Sequence, residues 1–226
     1  MRLFVTGTDT DVGKTAITAC LARAARDRGT VCACKPVASG VPAGEHAEDA
    51  VHIGTAAGHP PLCFARFIAP LSPHRAAAME GRVVPADIPS RIASLSADTV
   101  LVEGVGGWCV PLSSSPALWV TDLACATGGD VLIVAADRLG VLSHTLLTVR
   151  AIVADGHRPV GVVLNQLPGT TGASATTNLA DLRSLLSLPV VPVPAFDPGS
   201  AQDQTRIGAL VWRDIVPSFH PIPPSR

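Results

Sequence analysis

A group of residues suited to phosphate chemistry lies near the start of the sequence, in the stretch GTDTDVGKT at positions 7 to 15, called here the phosphate loop. It follows the apolar run LFVT and precedes an alanine-rich segment of helical period, which predicts a strand, a turn and the start of a helix. Gly13 allows close approach of a ligand to the backbone, Lys14 supplies a cation for β- and γ-phosphates, and Thr15 offers a hydroxyl to Mg²⁺. These residues predict a nucleoside triphosphate site.

The spacing of the phosphate loop departs by one residue from the usual G-x-x-x-x-G-K-[ST] pattern, because Thr8 stands six places before Lys14 and the glycine is Gly7. The alternative is that VGKT only caps a helix, but capping gives no reason for the lysine. Asp9 and Asp11 add carboxylates that repel a polyphosphate, so we expect a cation or an amine-bearing ligand nearby.

Three further segments carry groups that could act on a phosphorylated ligand. Glu103 ends the apolar run TVLVEG, where a carboxylate suits Mg²⁺. Lys35 and Ser39 follow another apolar run, in CKPVASG, and would lie at the carboxyl edge of a parallel sheet, although Lys35 is equally well explained as a surface lysine. Glu48 or Asp49 opens a helical segment, where the alternative is a solvated carboxylate that complements the helix dipole.

Short runs rich in Val, Ile and Leu alternate along the chain with longer segments of helical period. This alternation predicts an α/β fold in one domain over residues 1 to 226, a doubly wound, mostly parallel sheet with helices on both faces, like a P-loop NTPase. The predicted strands are LFVT, VCACKPV, TVLVEG, DVLIVAAD, VGVVLNQ and VVPVPAF. The predicted helices cover residues 14 to 28, 46 to 57, 85 to 96, 117 to 127, 143 to 155, 174 to 187 and 202 to 214, and residues 217 to 226 form a proline-rich tail.

Composition argues against several classes of protein. The 17 basic and 18 acidic residues give a formal charge of −1 without a long run of either sign, so we expect no nucleic-acid partner. No apolar run reaches the length of a membrane span, and the opening residues MRLFVTG lack the features of a secretory signal, so we expect a cytoplasmic protein. The six cysteines contain no C-x-x-C pair and are expected to be reduced thiols without a metal.

Four motifs in this order resemble the dethiobiotin synthetase family of the biotin pathway: GTDTDVGKT, KPVASG, SPH at positions 72 to 74, and VEGVGGW at positions 102 to 108. In that family the phosphate loop with a one-residue shift is normal. The resemblance implies an ATP-dependent ligase in which 7,8-diaminopelargonic acid takes up CO2 on one amine as a carbamate. ATP then phosphorylates the carbamate, and the second amine closes the ureido ring with loss of phosphate.

The resemblance also implies roles for individual residues. Lys14 and the amides of residues 11 to 16 would hold the triphosphate of ATP, and Thr15, Asp49 and Glu103 would surround Mg²⁺. Lys35 would stabilise the carbamate and its mixed anhydride with phosphate. The implied catalytic residues are Lys14 and Lys35 together with Thr10 and Ser39, which would hydrogen-bond the carbamate or amine end. The implied nucleotide-binding residues are Asp11, Val12, Gly13, Lys14, Thr15, Ala16, Asp49, Glu103, Gly104, Val105, Gly106, Asn165, Gln166, Pro194, Ala195 and Phe196.

The second half of the chain carries the thinner part of this resemblance. Asn165 would contact the base of the nucleotide, since an amide both donates and accepts, although a strand-end Asx turn is an alternative. Family members are homodimers in which the carboxylate tail of the substrate reaches the partner subunit. The matching stretch is RLGVLSHTLL at positions 138 to 147, and the implied substrate-binding residues there are Gly140, Val141, Leu142 and Leu146. From the sequence alone these leucines belong in a core.

Two other classes of protein share parts of this pattern. A nucleotide-driven switch or partitioning ATPase would be expected to carry a basic surface or an amphipathic membrane helix, and we find neither in the sequence. A glutamine-fed amidating ligase needs a separate glutaminase domain, for which this length leaves no room. A dinucleotide-binding module requires G-x-G-x-x-G where this loop supplies Lys and Thr.

Overall fold

The computed structural model describes residues 1–168 and 177–215. The strands in this part of the chain are β1 (Arg2–Gly7), β2 (Val31–Cys34), β3 (Val37–Ser39), β4 (Ala65–Phe67), β5 (Thr99–Gly107), β6 (Pro111–Ser114), β7 (Ala117–Trp119), β8 (Asp130–Ala136), β9 (Pro159–Asn165) and β10 (Val190–Val193). The helices are α1 (Lys14–Ala25), α2 (Glu48–Ala57), α3 (Pro73–Met79), α4 (Ile88–Ala93), α5 (Val120–Thr127), α6 (Val141–Ala154), α7 (Asn178–Leu185) and α8 (Ala201–Ile215).

Six strands form one sheet in the order β10-β9-β8-β1-β5-β2, and every neighbouring pair is parallel. The chain leaves β1 for the edge strand β2, returns to β5 beside β1, and then crosses to β8 on the other side of β1. The carboxyl end of β1 is therefore the point where the direction of winding reverses. Open parallel sheets bind their ligands in the crevice at such a point.

Side chains of the central strands alternate between two apolar cores, one on each face of the sheet. Leu3 of β1 packs with Ile17 of α1 and Trp212 of α8, whereas the adjacent Phe4 packs with Leu123 of α5 on the opposite face. All five of these side chains are fully buried, and complete burial of a side chain such as Ile17 contributes about 2 kcal/mol. The predicted doubly wound sheet with helices on both faces is confirmed.

Close packing of α8 against α1 depends on Gly208. A methyl group at this position would overlap the carbonyl group of Cys20, so a larger residue would push the two helices apart. The indole Nε1 of Trp212 donates a hydrogen bond to the carbonyl oxygen of Leu21 at 3.0 Å. These contacts hold α8 on the helix that follows the phosphate loop.

The predicted strand VCACKPV is interrupted. β2 ends at Cys34, the backbone N–H of Lys35 donates to the carbonyl oxygen of Leu62, and Pro36 has no N–H to continue a ladder. The chain then forms β3, which pairs with β4 in a separate parallel sheet of two strands. This break lets Lys35 leave the plane of the main sheet at its carboxyl edge.

Other predicted elements differ in extent from the observed ones. Residues 117 to 119 form β7, which pairs antiparallel with β6, and the helix begins only at Val120. The helix predicted over residues 85 to 96 is limited to α4, the strand VVPVPAF ends at Val193, and α3 was not predicted. The helix predicted over 14 to 28 changes to a 3-10 turn at Arg26–Arg28. Residues 174 to 176 of a predicted helix and the tail over 217 to 226 lie outside the described residues.

None of the helices in the described ranges has the length and apolar character that crossing a bilayer requires.

Candidate active site

A cavity of about 800 Å³ opens at the carboxyl edge of the sheet, beside the end of β1. Its walls come from the phosphate loop, the turn after β2, the first turns of α1 and α2, and the end of β5. The lining residues that the sequence analysis singled out are Thr10, Asp11, Gly13, Lys14, Thr15, Ala16, Lys35, Ser39, Glu48, Asp49, Ser72, Glu103, Val105 and Gly106. Segments separated by more than 90 residues in the chain thus meet in one cavity, because parallel strands end at the same edge.

The backbone of the phosphate loop has the geometry of an anion-binding turn. Gly13 precedes α1 with a φ of 94°, and an added Cβ would overlap the side-chain amide of Asn165, so this position requires glycine. Asp11 also has a positive φ, 55°, which is uncommon for a residue with a side chain. The side chain of Lys14 folds back, and its Nζ donates to the carbonyl oxygen of Asp9 at 2.7 Å. The ammonium group is therefore held over the loop.

The charged groups from three other elements form one connected cluster. The Nζ of Lys35 lies 2.6 Å from Oε1 of Glu103 and 2.8 Å from Oδ2 of Asp49, and it also donates to the carbonyl oxygen of Gly104 at 3.1 Å. The hydroxyl of Thr15 donates to the same Oε1 of Glu103 at 2.8 Å. Lys35 and Glu103 are 5% and 0% exposed, so each depends on the other for its charge.

Burial and neighbouring charges shift the acid–base behaviour of this cluster. Burial opposes the charge on Lys35, but attraction by Glu103 and Asp49 outweighs it and raises the pKa of Lys35. Partial burial likewise opposes the charge on Asp49, and the Lys35 ammonium outweighs it and lowers the pKa of that carboxyl. Burial, reinforced by the charge of Lys35, lowers the pKa of Lys14 to about 8. Lys35 is thus a permanent cation, whereas Lys14 titrates close to neutrality.

The oxygen atoms around this cluster suit a magnesium ion. Oε2 of Glu103 is buried and has no hydrogen-bond partner in the part of the chain that the structure describes, so one acceptor remains available beside the hydroxyl of Thr15. No group of three or more His, Cys, Asp or Glu in the described ranges could hold a metal. Mg²⁺ does not need such a group, because it binds through one or two carboxylates and completes its shell with water and phosphate oxygens. The donor set of Thr15, Asp49 and Glu103 therefore fits the ion.

The residues expected at the base of the nucleotide lie next to this cavity and not in its wall. The Nδ2 of Asn165 donates to the carbonyl oxygen of Val12 at 3.0 Å, while its buried Oδ1 has no hydrogen-bond partner among the described residues. The backbone N–H of Gln166 donates to the carbonyl oxygen of Val193, which ties the end of β9 to the end of β10. The segment Pro194, Ala195 and Phe196 follows β10 directly, so it lies at the same edge of the sheet.

Comparisons with known proteins agree with this geometry. A family model described as an AAA domain matches residues 1–195. The ATP-dependent dethiobiotin synthetase BioD of Rhodococcus jostii (strain RHA1) is 38% identical over 218 residues, which cover 94% of each chain. The chain belongs to the dethiobiotin synthetase family. The enzyme of the same name from Anaeromyxobacter sp. (strain Fw109-5) is 42% identical over 187 residues, covering 80% of this chain and 83% of that one.

Solved structures support the fold of this dethiobiotin synthetase family member. The septum site-determining protein MinD from Pyrococcus horikoshii, complexed with Mg-ADP, superposes with a TM-score of 0.51 at 14% identity and covers 96% of this chain and 97% of its own. A plasmid partition protein from Borrelia burgdorferi bound to AMPPNP gives a TM-score of 0.53 at 10% identity, covering 94% and 98%. The predicted likeness to P-loop NTPases is therefore confirmed at the level of the fold.

The family resemblance also singled out the start of α6, which lies apart from the cavity of the same chain. Gly140 caps the helix with a φ of 94°, and Val141 is buried in the core. Leu142 and Leu146 are half-buried, and neither lines the cavity. Two neighbours, Leu139 and Leu147, are 87% and 61% exposed. The expectation that all the leucines of this stretch belong to a core is therefore wrong for these two.

Several cavity residues in this dethiobiotin synthetase family member were not predicted from the sequence. His52 stands one helical turn after Asp49 on α2, and Pro198 belongs to the loop between β10 and α8. The spacing of His52 from Asp49 is a signal that the sequence did contain, because residues three apart on a helix share a face. Pro198 carried no such signal, since its position depends on how α8 packs against α1.

Proposed function

We propose that this chain is an ATP-dependent dethiobiotin synthetase that acts in biotin biosynthesis, joining 7,8-diaminopelargonic acid and CO2 into a ureido ring. The observation that carries the proposal is the position of Lys35. Its ammonium group, a permanent cation, shares one cavity with the phosphate loop and the carboxylates of Glu103 and Asp49. A nucleotide-hydrolysing switch has no need of a second buried lysine opposite the phosphate loop, whereas transfer of phosphate to a carbamate does.

In this proposal the phosphate loop binds the triphosphate of ATP. The backbone amides of residues 11 to 16 would bind the phosphates, because Asp11, Gly13, Lys14, Thr15 and Ala16 line the cavity at the start of α1 and helix N-termini favour anions. Lys14 is held over the loop by the carbonyl oxygen of Asp9, and bound phosphate would replace that contact with a charged one. The loop thereby holds the γ-phosphate in place for attack, which supplies most of the catalysis in phosphoryl transfer.

Lys35 acts on the group that receives the phosphate. A carbamate formed on one amine of the diamine is an anion, and its phosphorylated form is a mixed anhydride that also carries negative charge. A buried ammonium stabilises both forms more than a solvated one, because little water screens it. Thr10 and Ser39 line the same cavity and supply hydroxyl groups that orient the carbamate or the second amine.

Thr15, Asp49 and Glu103 would hold Mg²⁺, and Glu103 has a buried oxygen free for it. When bound, the ion would neutralise negative charge on the phosphates. Lys35 contacts the same two carboxylates, so its ammonium group holds both of them in place. Closure of the ureido ring follows when the second amine attacks the activated carbonyl carbon and phosphate leaves.

The base of ATP lies beside Asn165 in this proposal. Among the described residues its Oδ1 has no hydrogen-bond partner, so this atom can accept a hydrogen bond from an exocyclic amine of a purine. A buried acceptor without a partner costs free energy, and a bound base would remove that cost. Gln166 and the segment from Pro194 to Phe196 complete the base pocket. Because that segment carries no charged side chain, discrimination among nucleotides is expected to rest on the Asn165 amide.

The far end of the substrate would be bound by a second copy of the chain. Gly140 precedes α6, whose N-terminus suits a carboxylate, and the leucines that follow suit a methylene chain. Leu139 and Leu147 expose apolar side chains on this segment, which supports its burial in a homodimer. Gly140, Val141, Leu142 and Leu146 of one subunit would then complete the cavity of the other.

The test is phosphate release from Mg-ATP by purified protein with bicarbonate, in the presence and absence of 7,8-diaminopelargonic acid, with the organic product followed by mass spectrometry. We expect release that depends on the diamine and a product with the mass of dethiobiotin. With ¹⁸O-labelled bicarbonate, one labelled oxygen should appear in the released phosphate, because the phosphorylated carbamate oxygen leaves with it. Hydrolysis that is indifferent to the diamine would contradict the proposal and favour a nucleotide-driven switch.

A further inference from the structure

His52 lines the cavity without a role in the chemistry described so far. It lies on α2, three residues after Asp49, and shares the cavity wall with Thr15 and Ala16 at the start of α1. His52 is half-buried, and its Nε2 contacts Gln204. What this side chain can do depends on which of its two ring nitrogens carries the proton.

Side chains on α1 and α8 determine which ring nitrogen of His52 carries the proton. The Nε of Arg23 donates a hydrogen bond to Oε1 of Gln204 at 2.5 Å. Arginine can only donate, so this contact determines which end of the Gln204 amide is the oxygen. The other end, Nε2, then donates to the carbonyl oxygen of Pro198 at 2.7 Å and faces Nε2 of His52 at 3.3 Å. Gln204 is 4% exposed, so water does not compete for these contacts.

The orientation of Gln204 determines the protonation of His52. Because the amide nitrogen is a donor, Nε2 of His52 must accept, and the ring proton resides on Nδ1. His52 is thus assigned the Nδ1–H tautomer, in which Nδ1 is a hydrogen-bond donor. Within residues 1–168 and 177–215, Nδ1 has no hydrogen-bond partner. The packing of α8 on α1 through Gly208 keeps Gln204, one turn earlier, in its position.

The position of this donor points to the nucleoside part of a nucleotide. Lys14, Lys35 and Glu103 mark the end of the cavity that suits the transferred phosphate. Gln204 also holds Pro198, two residues after the segment proposed for the base, so His52 is tied to the loop at the nucleoside end. The amides of the phosphate loop already supply hydrogen-bond donors for the phosphates. The ribose lies between the phosphates and the base, and none of the residues assigned so far donates a hydrogen bond to it.

We propose that His52 donates a hydrogen bond from Nδ1 to a ribose hydroxyl of the bound nucleotide, and that Gln204 and Arg23 hold it in the required tautomer. This inference rests on the proposed use of ATP and adds a sugar-binding residue to it. One neutral hydrogen bond of this kind changes the dissociation constant by about fivefold.

The experiment measures ATP binding by calorimetry for the wild type and three variants. His52→Ala should weaken ATP binding by about fivefold. His52→Asn should bind like the wild type, because its amide nitrogen can take the place of Nδ1. His52→Gln is the matched control: its longer amide reaches toward the place of Nε2 and leaves no donor at Nδ1, so it should bind ATP as weakly as the alanine variant. Thermal unfolding of each variant checks that the fold is intact.

Deoxynucleotides test the ribose contact itself. Of 2′-deoxy-ATP and 3′-deoxy-ATP, the one that lacks the contacted hydroxyl should bind equally to the wild type and to His52→Ala. Equal ATP affinity in those two proteins would overturn the inference, and so would an unchanged fivefold loss with both deoxynucleotides. A wild type that binds no ATP would instead refute the proposed function, so the two failures are distinguishable.

Discussion

The two regions proposed to hold the ends of the substrate differ in how completely one chain builds them. At the carboxyl edge of β1 and β5, Lys35 and Glu103 are nearly inaccessible to water and are paired with each other. At the start of α6, Leu139 and Leu147 expose most of their apolar surface. The first region pairs its buried charges within the chain, whereas the second exposes apolar side chains to solvent.

This difference follows from the cost of burying each kind of group. A buried charge without a partner costs several kcal/mol, so the ion-pair cluster must be assembled when the chain folds. Exposing leucines to solvent costs much less free energy, and burying them between two chains would contribute free energy to association. The charged region is therefore expected to depend on single side chains, and the apolar region on assembly of two chains.

The largest effect is expected from removing the cation of the charged region. Lys35→Met should lower turnover by about a thousandfold, because the developing charge on the carbamate loses its buried ammonium. It should also lower the free energy of unfolding by about 3 kcal/mol, since Glu103 is left buried without a cation. Phosphate-release kinetics and denaturant unfolding measure the two effects. In Lys35→Arg we expect stability to recover more than turnover, and a Lys35→Met enzyme with nearly normal turnover would exclude this role.

The apolar region can be disrupted without touching the charged one. Leu147→Asp should give a monomer by light scattering and raise the KM for the diamine by about 30-fold, the equivalent of about 2 kcal/mol of lost apolar burial. Its affinity for ATP should not change. Val83→Asp is the matched control, because Val83 is 69% exposed but lies away from α6. If the mass of Leu147→Asp stays that of the wild type, α6 is not the dimer contact.

A smaller effect concerns Lys14, whose pKa of about 8 in the free protein makes phosphate binding sensitive to pH. The depressed pKa means that the free protein loses this proton as the pH rises through 8, and bound phosphate must restore it. Affinity for ADP without added metal should therefore fall about tenfold between pH 7 and pH 9, and should hardly change below pH 7. Lys14→Met should bind ADP weakly throughout. A wild-type affinity that rises with pH would contradict the assigned direction.

The smallest effect is expected where charge is exposed. Arg138 and Asp9 join the two regions through an ion pair of 3.5 Å, and both side chains are about half exposed. Arg138→Ala should change the free energy of unfolding by less than about 1 kcal/mol, since solvent screens such pairs. Denaturant unfolding of Arg138→Ala, Asp9→Asn and the double variant gives the coupling energy. A coupling well above that value would show that the two regions are not independent.

The sequence predicted the central sheet because its strands are buried on both faces, and such strands have nearly continuous apolar sequences. DVLIVAAD and VGVVLNQ became β8 and β9 almost as predicted. It failed for β3, β4, β6 and β7, which have three or four residues each. Strands this short depend on contacts with the rest of the fold, and their period is too brief to recognise.

The candidate site divides in a similar way. The phosphate loop could be predicted because its chemistry is local: a glycine with a positive φ, a lysine and a threonine lie together in sequence. Glu103 and Lys35 could be placed at an edge but not paired, because pairing depends on the order of strands. His52 was missed although its spacing from Asp49 is visible in the sequence, whereas its contact with Gln204 on α8 depends on the tertiary fold.

The sequence by itself determined the class of fold, the phosphate loop and the family to which the chain belongs. These properties depend on periodicity and on residues adjacent in the chain. Only the tertiary structure decided that Lys35 contacts Glu103 and Asp49, that Asn165 meets the phosphate loop, and that α6 exposes its leucines. Each of these features depends on how residues far apart in sequence are placed relative to one another. The order of the strands around β1 determines that placement.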